Sequence, residues 1–285
     1  MKEIHKESNR ATPLAWSGSN WRAAIAAYLH GRVITMMFLG FSAGLPFLLV
    51  FSTLSAWLRA EEVSRAAIGF FSWVGITYSV KVFWAPIVDR VPLPIITRVL
   101  GRRRSWMLLA MVGIALGLLG MAGVDPAEDL RLLALLALLV AFSSATQDIA
   151  IDAYRIEAVA RELQGAMAAT YQLGYRIALL VAGGGALVLA DATSWSIAYV
   201  CLASLTLVGV ATVLVIQEPL VPSGSLPRLD GAKSWIVASV VNPFVDFFSR
   251  NGRLALVILV FVGLFRISDL LMGVMANPFY IDLGF

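Results

Sequence analysis

Seven long apolar runs, separated by short polar connections, organise this chain of 285 residues. Each approaches the ~20 residues that an α-helix needs to cross a bilayer. The pattern predicts membrane-spanning helices over 33–58, 66–88, 105–123, 132–154, 166–190, 195–216 and 254–276. The expected fold class is an all-α integral membrane protein whose centre, 33–216, is a six-helix bundle. An N-terminal tail (1–32) precedes it; a connecting loop (217–253), a seventh helix (254–276) and a short end (277–285) follow. Gly40, Gly44 and Pro46 are expected to bend the first run without ending it. The tail has no charged stretch leading into an apolar core and a cleavage site, so it is expected to be retained. The connecting loop opens with EPLVPSGSLP, and its later part, KSWIVASVVNPFVDFF, reads as an amphipathic interfacial segment broken near Pro243.

Basic residues orient these runs, because Lys and Arg in short loops resist translocation. With the N-terminus in the cytoplasm, sixteen of the 22 Lys and Arg fall in cytoplasmic segments, including loop 217–253. Only Arg59, Arg65 and Arg131 fall outside, and Lys81, Arg176 and Arg266 lie within the runs. The net charge of +4 is therefore a topological excess, and no nucleic-acid partner is implied. Hydrophobic residues make up 59% of the chain and charged ones 14%, against roughly 25% charged in soluble domains, which excludes a soluble globular protein. Trp57, Trp84, Trp106 and Trp195, near run ends, read as interfacial anchors.

The lone Cys201 removes any disulfide framework or paired thiolate metal site, and both histidines, His5 and His30, precede the first run. An intramembrane histidine base or an HExxH zinc site has no residues to build it. No cofactor or metal is expected. The work of such a chain is expected to be conformational, not enzymatic, with the lipid bilayer, protons and a small solute as partners.

Ionisable groups inside a span cost a few kcal/mol each unless they face a bundle interior or a watery cavity. The runs carry Lys81 in the second, Asp148 in the fourth, Arg176 in the fifth, and Arg266 with Asp269 in the seventh. The third and sixth have none, which suggests that these two stand outside against lipid. Lys81 has a snorkelling alternative, and Arg266 could pair with Asp269 merely to hold packing. In AFSSATQDIAIDAYRIE, Asp148, Asp152 and Arg155 share one helical face within about 60°. Asp148 is the deepest of the three and the better proton carrier, with Asp152 and, on the seventh helix, Asp269 as further coupling candidates. Gln172 and Arg176 lie one turn apart near the expected midplane, where a guanidinium can hold a carboxylate or phosphate with two parallel hydrogen bonds. A pairing of Arg176 with Asp148 is the competing reading. Lys81 and Arg266 complete the cations available to an anionic solute. The AGGGA and GIALG stretches, 182–186 and 113–117, read as close helix packing in preference to ligand loops.

One connection, WAPIVDRVPLPIITRVLGRRRSW, resembles the loop between helices two and three of the major facilitator superfamily, in which an Asp-Arg pair precedes Gly-Arg-Arg. Asp89 and Arg90, then Gly101, Arg102 and Arg103, match it, with ten residues between the halves where most members have one or two. GFSAGLPFLLVFSTLSAWL, SSATQDIAIDAYRIE and GYRIALLVAGGGALVLAD narrow the match, from about Gly40 to Pro219, and look like the AmpG family of bacterial muropeptide permeases. That resemblance implies two six-helix halves joined by a cytoplasmic loop. It further implies import of anhydromuropeptides, anionic glycopeptides, across the cytoplasmic (inner) membrane with the proton gradient. Position by position it marks Gln147, Asp148, Asp152, Arg176 and the gating loop 89–104, beside which Arg155 lies. Acetyl-coenzyme A transporters of the same branch carry a similar QDI-x-x-D stretch, so another anionic metabolite is the alternative cargo. Measured against that fold, a C-terminal half of five further helices is the expected missing partner, and a half-bundle without transport of its own is the competing class.

Overall fold

The computed structural model describes residues 21–219, 237, 241–265 and 279–280. Among them six helices are long and apolar enough to cross a membrane: Gly31–Ala60, Arg65–Phe83, Arg102–Ala122, Leu130–Ala158, Arg161–Ala192 and Trp195–Val215, hereafter the first to sixth spans. Each even-numbered span opens on a short polar side chain that satisfies an N–H group of the first turn. Ser64 accepts from the Ala67 N–H at 3.3 Å, Asp129 from Leu132 at 2.9 Å and Ser194 from Ile197 at 3.3 Å. A helix Leu254–Phe265 follows Val245–Asn251 across a bend of 112°. The remainder of the expected seventh span, with Arg266 and Asp269, lies outside the described residues, as does the tail before Trp21.

The first span is the hub, packing on the fourth, fifth and sixth, while the third packs on the fourth and sixth and the second on the fourth. As expected, the helix continues through Gly40, Gly44 and Pro46; it breaks later, at Phe51 (φ −118°, ψ −97°), which separates Gly31–Val50 from Ser52–Ala60. Beside the break, the Leu49 carbonyl accepts from the buried Tyr199 hydroxyl at 2.8 Å. Gly40 and Gly44 instead let two backbones touch: a Cβ at Gly40 would overlap the Tyr171 carbonyl, and one at Gly44 the Tyr175 carbonyl and Ala178. Gly174 answers from the fifth span, where a Cβ would overlap the Met37 carbonyl. Gly174→Ala is therefore expected to destabilise the bundle by about 3 kcal/mol, the upper end for overpacking, because rigid backbone is struck on the far side. A thermal melt of the purified variant that matched the unsubstituted protein would contradict this packing.

Gly113, Gly117 and Gly120 of the third span meet Ser143, Val140 and Leu136 of the fourth, as the GIALG reading expected. The AGGGA stretch also packs closely, with a π-helical turn over Val181–Gly185: Ala182 and Ala186 are buried, Gly183 lies against Leu48, and the Ala182 carbonyl accepts from the Thr53 hydroxyl at 2.6 Å, while Gly184 alone faces open space. The second span ends at Phe83, short of the expected 88, and a separate helix, Ala85–Arg90, follows. Pro86 in its first turn has no N–H to continue the preceding helix. Trp57 is also not an interfacial anchor. It is 2% exposed, stacked on Trp195 at 6.2 Å and tilted against Tyr199 at 4.9 Å.

Two apolar cores stack along the bundle. One joins Leu45, Leu49, Leu54, Leu118, Leu133 and Tyr199; the other joins Met36, Leu39, Met107, Met111, Ile151 and Tyr154. Between them lies a belt of buried polar side chains, Ser42, Ser143, Ser144, Thr146, Gln147 and Thr206. Polar groups at this height must find partners inside the protein. The Gln147 amide N–H does so by donating to the Ser42 hydroxyl at 2.9 Å, which ties the fourth span to the first one residue before Asp148, while its Oε1 has no partner among the described residues.

Candidate functional site

Lys81, in the last turn of the second span, reaches Asp148 of the fourth, with Nζ 3.4 Å from Oδ2. Their side chains are 34% and 20% exposed, so the pair is neither sealed in the core nor fully solvated. Asp148 is ten residues before Ala158, about 15 Å along the helix from its end. Both charges line an open cleft of about 270 Å³ with Phe47, Gly75, Tyr78, Ser79 and Tyr175. The aromatic members come from three spans, and Phe47 meets Tyr78 edge-on at 5.9 Å. Trp84 is fixed nearby, donating to Thr146 at 3.1 Å and packing on Phe142 at 4.8 Å. A larger groove of about 580 Å³ between the second and fourth spans is walled by Trp73, Ile76, Val80, Leu135, Leu138 and Phe142, among others. It holds no charged group to orient a solute, so the smaller cleft is the better candidate site.

The other sequence candidates are distributed around this cleft. Gln147 is fully buried and points into the core toward Ser42, not into the cleft. Gln172 and Arg176 lie on the exposed side of the fifth span, whose Tyr175 lines the cleft, and neither has a hydrogen bond or ion pair among the described residues. Asp148 pairs with Lys81, so the Arg176–Asp148 pairing is not formed. Asp152 pairs with Arg155 one turn on, at 3.4 Å, at the exposed end of the stripe.

At the end where the fourth span finishes, the gating-loop residues converge. Arg103, 5% exposed, donates to Asp89 at 2.7 Å and grips Glu157 with two hydrogen bonds of 2.5 and 3.0 Å. The ten-residue insertion does not prevent this contact: it folds into the short helix Ile96–Leu100 and closes at Gly101, whose φ of +88° favours glycine. A second grip runs between the third and sixth spans. The Glu218 carboxylate accepts from the Arg103 and Arg104 backbone N–H groups at 2.7 and 3.1 Å, capping the third span's positive end. In return, Arg104 donates to the Val213 and Leu214 carbonyls at 2.7 and 2.8 Å, capping the sixth. Arg32 bonds the Ala158 carbonyl, and Trp106 donates to Val91 at 2.9 Å. Arg90 and Arg102 form no ion pair among the described residues, and each leaves one buried nitrogen without a partner.

Sequence reasoning missed Glu157, Glu218 and the aromatic wall. Glu157 stands two residues beyond Arg155 in the quoted YRIE, and Glu218 at the end of the last central run. Both are carboxylates close to the triple arginine of the loop, and this local excess of positive charge was the available signal. Tyr78 sits one turn from Lys81, and Tyr175 beside Arg176; their periodicity alone does not separate them from core residues.

Six helices long and apolar enough to cross a membrane among the described residues, with a charge pair joining two of them and a charge cluster at one end, define a multi-pass membrane protein. The family model described as acetyl-coenzyme A transporter 1 matches residues 32–199, and the chain belongs to that family. It is 36% identical over 256 residues to "Putative transporter AmpG 4" of Rickettsia conorii, covering 89% of this chain and 61% of that protein. It is 37% identical over 239 residues to the "Anhydromuropeptide permease" of Escherichia coli K12, covering 84% of this chain and 46% of that one. These relatives bear out the AmpG-type resemblance read from the QDI-x-x-DA segment. The chain spans about half to three-fifths of their length.

Proposed function

We propose that this chain forms one half of a proton-coupled importer of anhydromuropeptides, working by alternating access in the cytoplasmic membrane with its N-terminus inside. The observation that carries the reading is the Lys81–Asp148 pair in an open, half-polar cleft at membrane depth, in a chain 37% identical to an anhydromuropeptide permease. A charge pair within the spans is costly where the spans serve packing alone. Asp148 takes up and releases the coupling proton, with Asp152 and Asp269 as secondary acids. Lys81, Arg176 and Arg266 meet the anionic groups of the cargo, Gln172, one turn from Arg176, contributes a polar contact, and Gln147 acts from the core. A second six-helix half closes the far side of the cleft, in keeping with the greater length of the relatives. The cluster of Asp89, Arg90, Gly101, Arg102, Arg103 and Arg155 controls the cytoplasmic end. The excess of basic residues in the segments assigned to the cytoplasm supports that orientation, and nothing in the chemistry of the cleft calls for a covalent step. A second reading, an acyl-coenzyme A or other anionic metabolite as cargo, draws on the family model's description.

The test is uptake of radiolabelled anhydromuropeptide into proteoliposomes holding this chain together with the second half of the Escherichia coli permease. Accumulation is expected only under an inward proton gradient, and acetyl-coenzyme A is expected not to compete. Competition by acetyl-coenzyme A, with no muropeptide accumulation, would favour the second reading.

A further inference from the structure

The connection between the second and third spans sorts its arginines into two kinds. Arg103 and Arg104 place their side-chain donors on Asp89, Glu157 and the Val213 and Leu214 carbonyls. Arg98 and Arg102 meet no carboxylate among the described residues, and Arg98 is exposed. In the same stretch, 91–99, stand four exposed apolar side chains, Val91, Ile95, Ile96 and Val99, of which Ile95 and Val99 are 76% and 80% exposed.

The local backbone holds these side chains out. The Trp106 indole N–H donates to the Val91 carbonyl at 2.9 Å, and the Leu93 N–H donates to the Thr97 hydroxyl at 2.8 Å. Thr97 is thereby drawn back into the loop, while Ile96 and Val99, three positions apart on the helix Ile96–Leu100, share another side. Ile95 has φ +71° and ψ −60°, and the Ile96 N–H donates across it to the Pro94 carbonyl at 2.9 Å. That is the rare form of γ-turn, strained for an L residue and most of all for a β-branched one. A glycine would take the turn without strain and without a side chain in water. An isoleucine there gains only if something outside the chain covers it.

The third span shows what the cover is. Its exposed Leu109, Val112, Leu116 and Leu119 lie within about 80° of one another, a stripe that meets lipid along a crossing helix. Trp106, one turn before Leu109, ends the stripe and holds Val91, so the apolar side chains of the connection continue a lipid-facing surface past the end of the span. At that level a bilayer presents phosphates, and an arginine can lay its stem along the apolar residues while its head reaches them.

We propose that residues 91–100 are a membrane-surface anchor, in which Ile95, Ile96 and Val99 enter the boundary between headgroups and acyl chains and Arg98, with Arg102 near it, holds the phosphate of an anionic phospholipid. The anchor requires only that the spans cross a bilayer and is independent of the cargo.

The test uses the full chain with its exposed Cys201 replaced (Cys201→Ser) and one cysteine added at a time: Ile95→Cys, Val99→Cys or, as a water-facing control, Glu162→Cys. Each protein is placed in nanodiscs of phosphatidylcholine, alone or mixed equally with phosphatidylglycerol, and an uncharged, water-soluble maleimide reads immersion as slowed labelling. Relative to the control, positions 95 and 99 are expected to react at least about fivefold more slowly in the mixed discs than in phosphatidylcholine, the effect of one arginine at an anionic surface. Arg98→Gln is expected to remove most of that difference. Ile95→Gly, which relaxes the turn, is expected to melt no lower than the unsubstituted chain in detergent yet to speed labelling at position 99, which separates loss of anchoring from loss of folding. Labelling at 95 and 99 as fast as at 162 in both discs would overturn the anchor. So would protection that appears only when the second half of the Escherichia coli permease is added, since protein would then be the cover. Protection that ignores both phosphatidylglycerol and Arg98→Gln would overturn the headgroup site.

Discussion

Arg103→Gln should destabilise the bundle by about 3–5 kcal/mol, the range for withdrawing one partner from a buried charge cluster. The guanidinium is 5% exposed and makes three hydrogen bonds to carboxylates on the second-to-third connection and the fourth span. Removing it leaves Glu157, 21% exposed, without its two-pronged partner; Asp89, at 42%, is rescued more easily by water. Arg103→Lys should fall between, since an ammonium keeps the charge but cannot meet both Glu157 oxygens in one plane. The double variant Arg103→Gln with Glu157→Gln should recover part of the loss, because no charge is then stranded in that pair. Thermal melts in detergent for the four proteins form the measurement. Equal midpoints for Arg103→Gln and the unsubstituted chain would show that the cluster does not hold the fold together.

The Glu218 grip changes how that result is to be read. Glu218 caps the third span through backbone N–H groups, so it remains bonded when the Arg103 side chain is cut back. Arg104 likewise holds the end of the sixth span by itself. The third and sixth spans should therefore stay joined in Arg103→Gln, while the tie to Asp89 and to Glu157 of the fourth span is lost. Loss of stability in that variant reports on the link between those two elements and the third span.

The membrane spans were legible because hydropathy over twenty residues is a sum to which no single position is critical. The N-caps at Ser64, Asp129 and Ser194, which fix where three of the spans start, were not read from the sequence. The stripe of Asp148, Asp152 and Arg155 followed from helical periodicity, and the structure keeps all three in one continuous helix, Leu130–Ala158. Partner choice was not legible. Lys81 was read as a group that snorkels or lines a path, and only the packing of the second span on the fourth brings it to Asp148. Glycine was ambiguous in a similar way: Gly40 and Gly44 have the same local signature whether they bend a helix or admit a neighbouring backbone. Their neighbour, Gly174, lies 130 residues or more away in the chain. Trp57 near a span end looked like an anchor because sequence shows its height in the membrane but not which way it faces.

Asp148→Asn should reduce proton-driven accumulation by the assembled importer about tenfold or more, since it removes the titratable group at membrane depth while keeping its size and its acceptor oxygen. The Asn carbonyl can still accept from Lys81, but it no longer balances the ammonium, so a fall in folded yield is also expected. That second effect has to be separated from coupling. The double variant Lys81→Gln with Asp148→Asn removes both charges and should restore folded yield without restoring accumulation. Asp152→Asn should be much milder: its carboxylate is 55% exposed, and its pair with Arg155 is of the surface kind, worth about 0–1 kcal/mol. Uptake at several imposed gradients, normalised to folded protein, measures all three. Accumulation that still tracks the gradient in Asp148→Asn would move the coupling proton to Asp152 or Asp269 and leave the Lys81–Asp148 pair a role in binding alone.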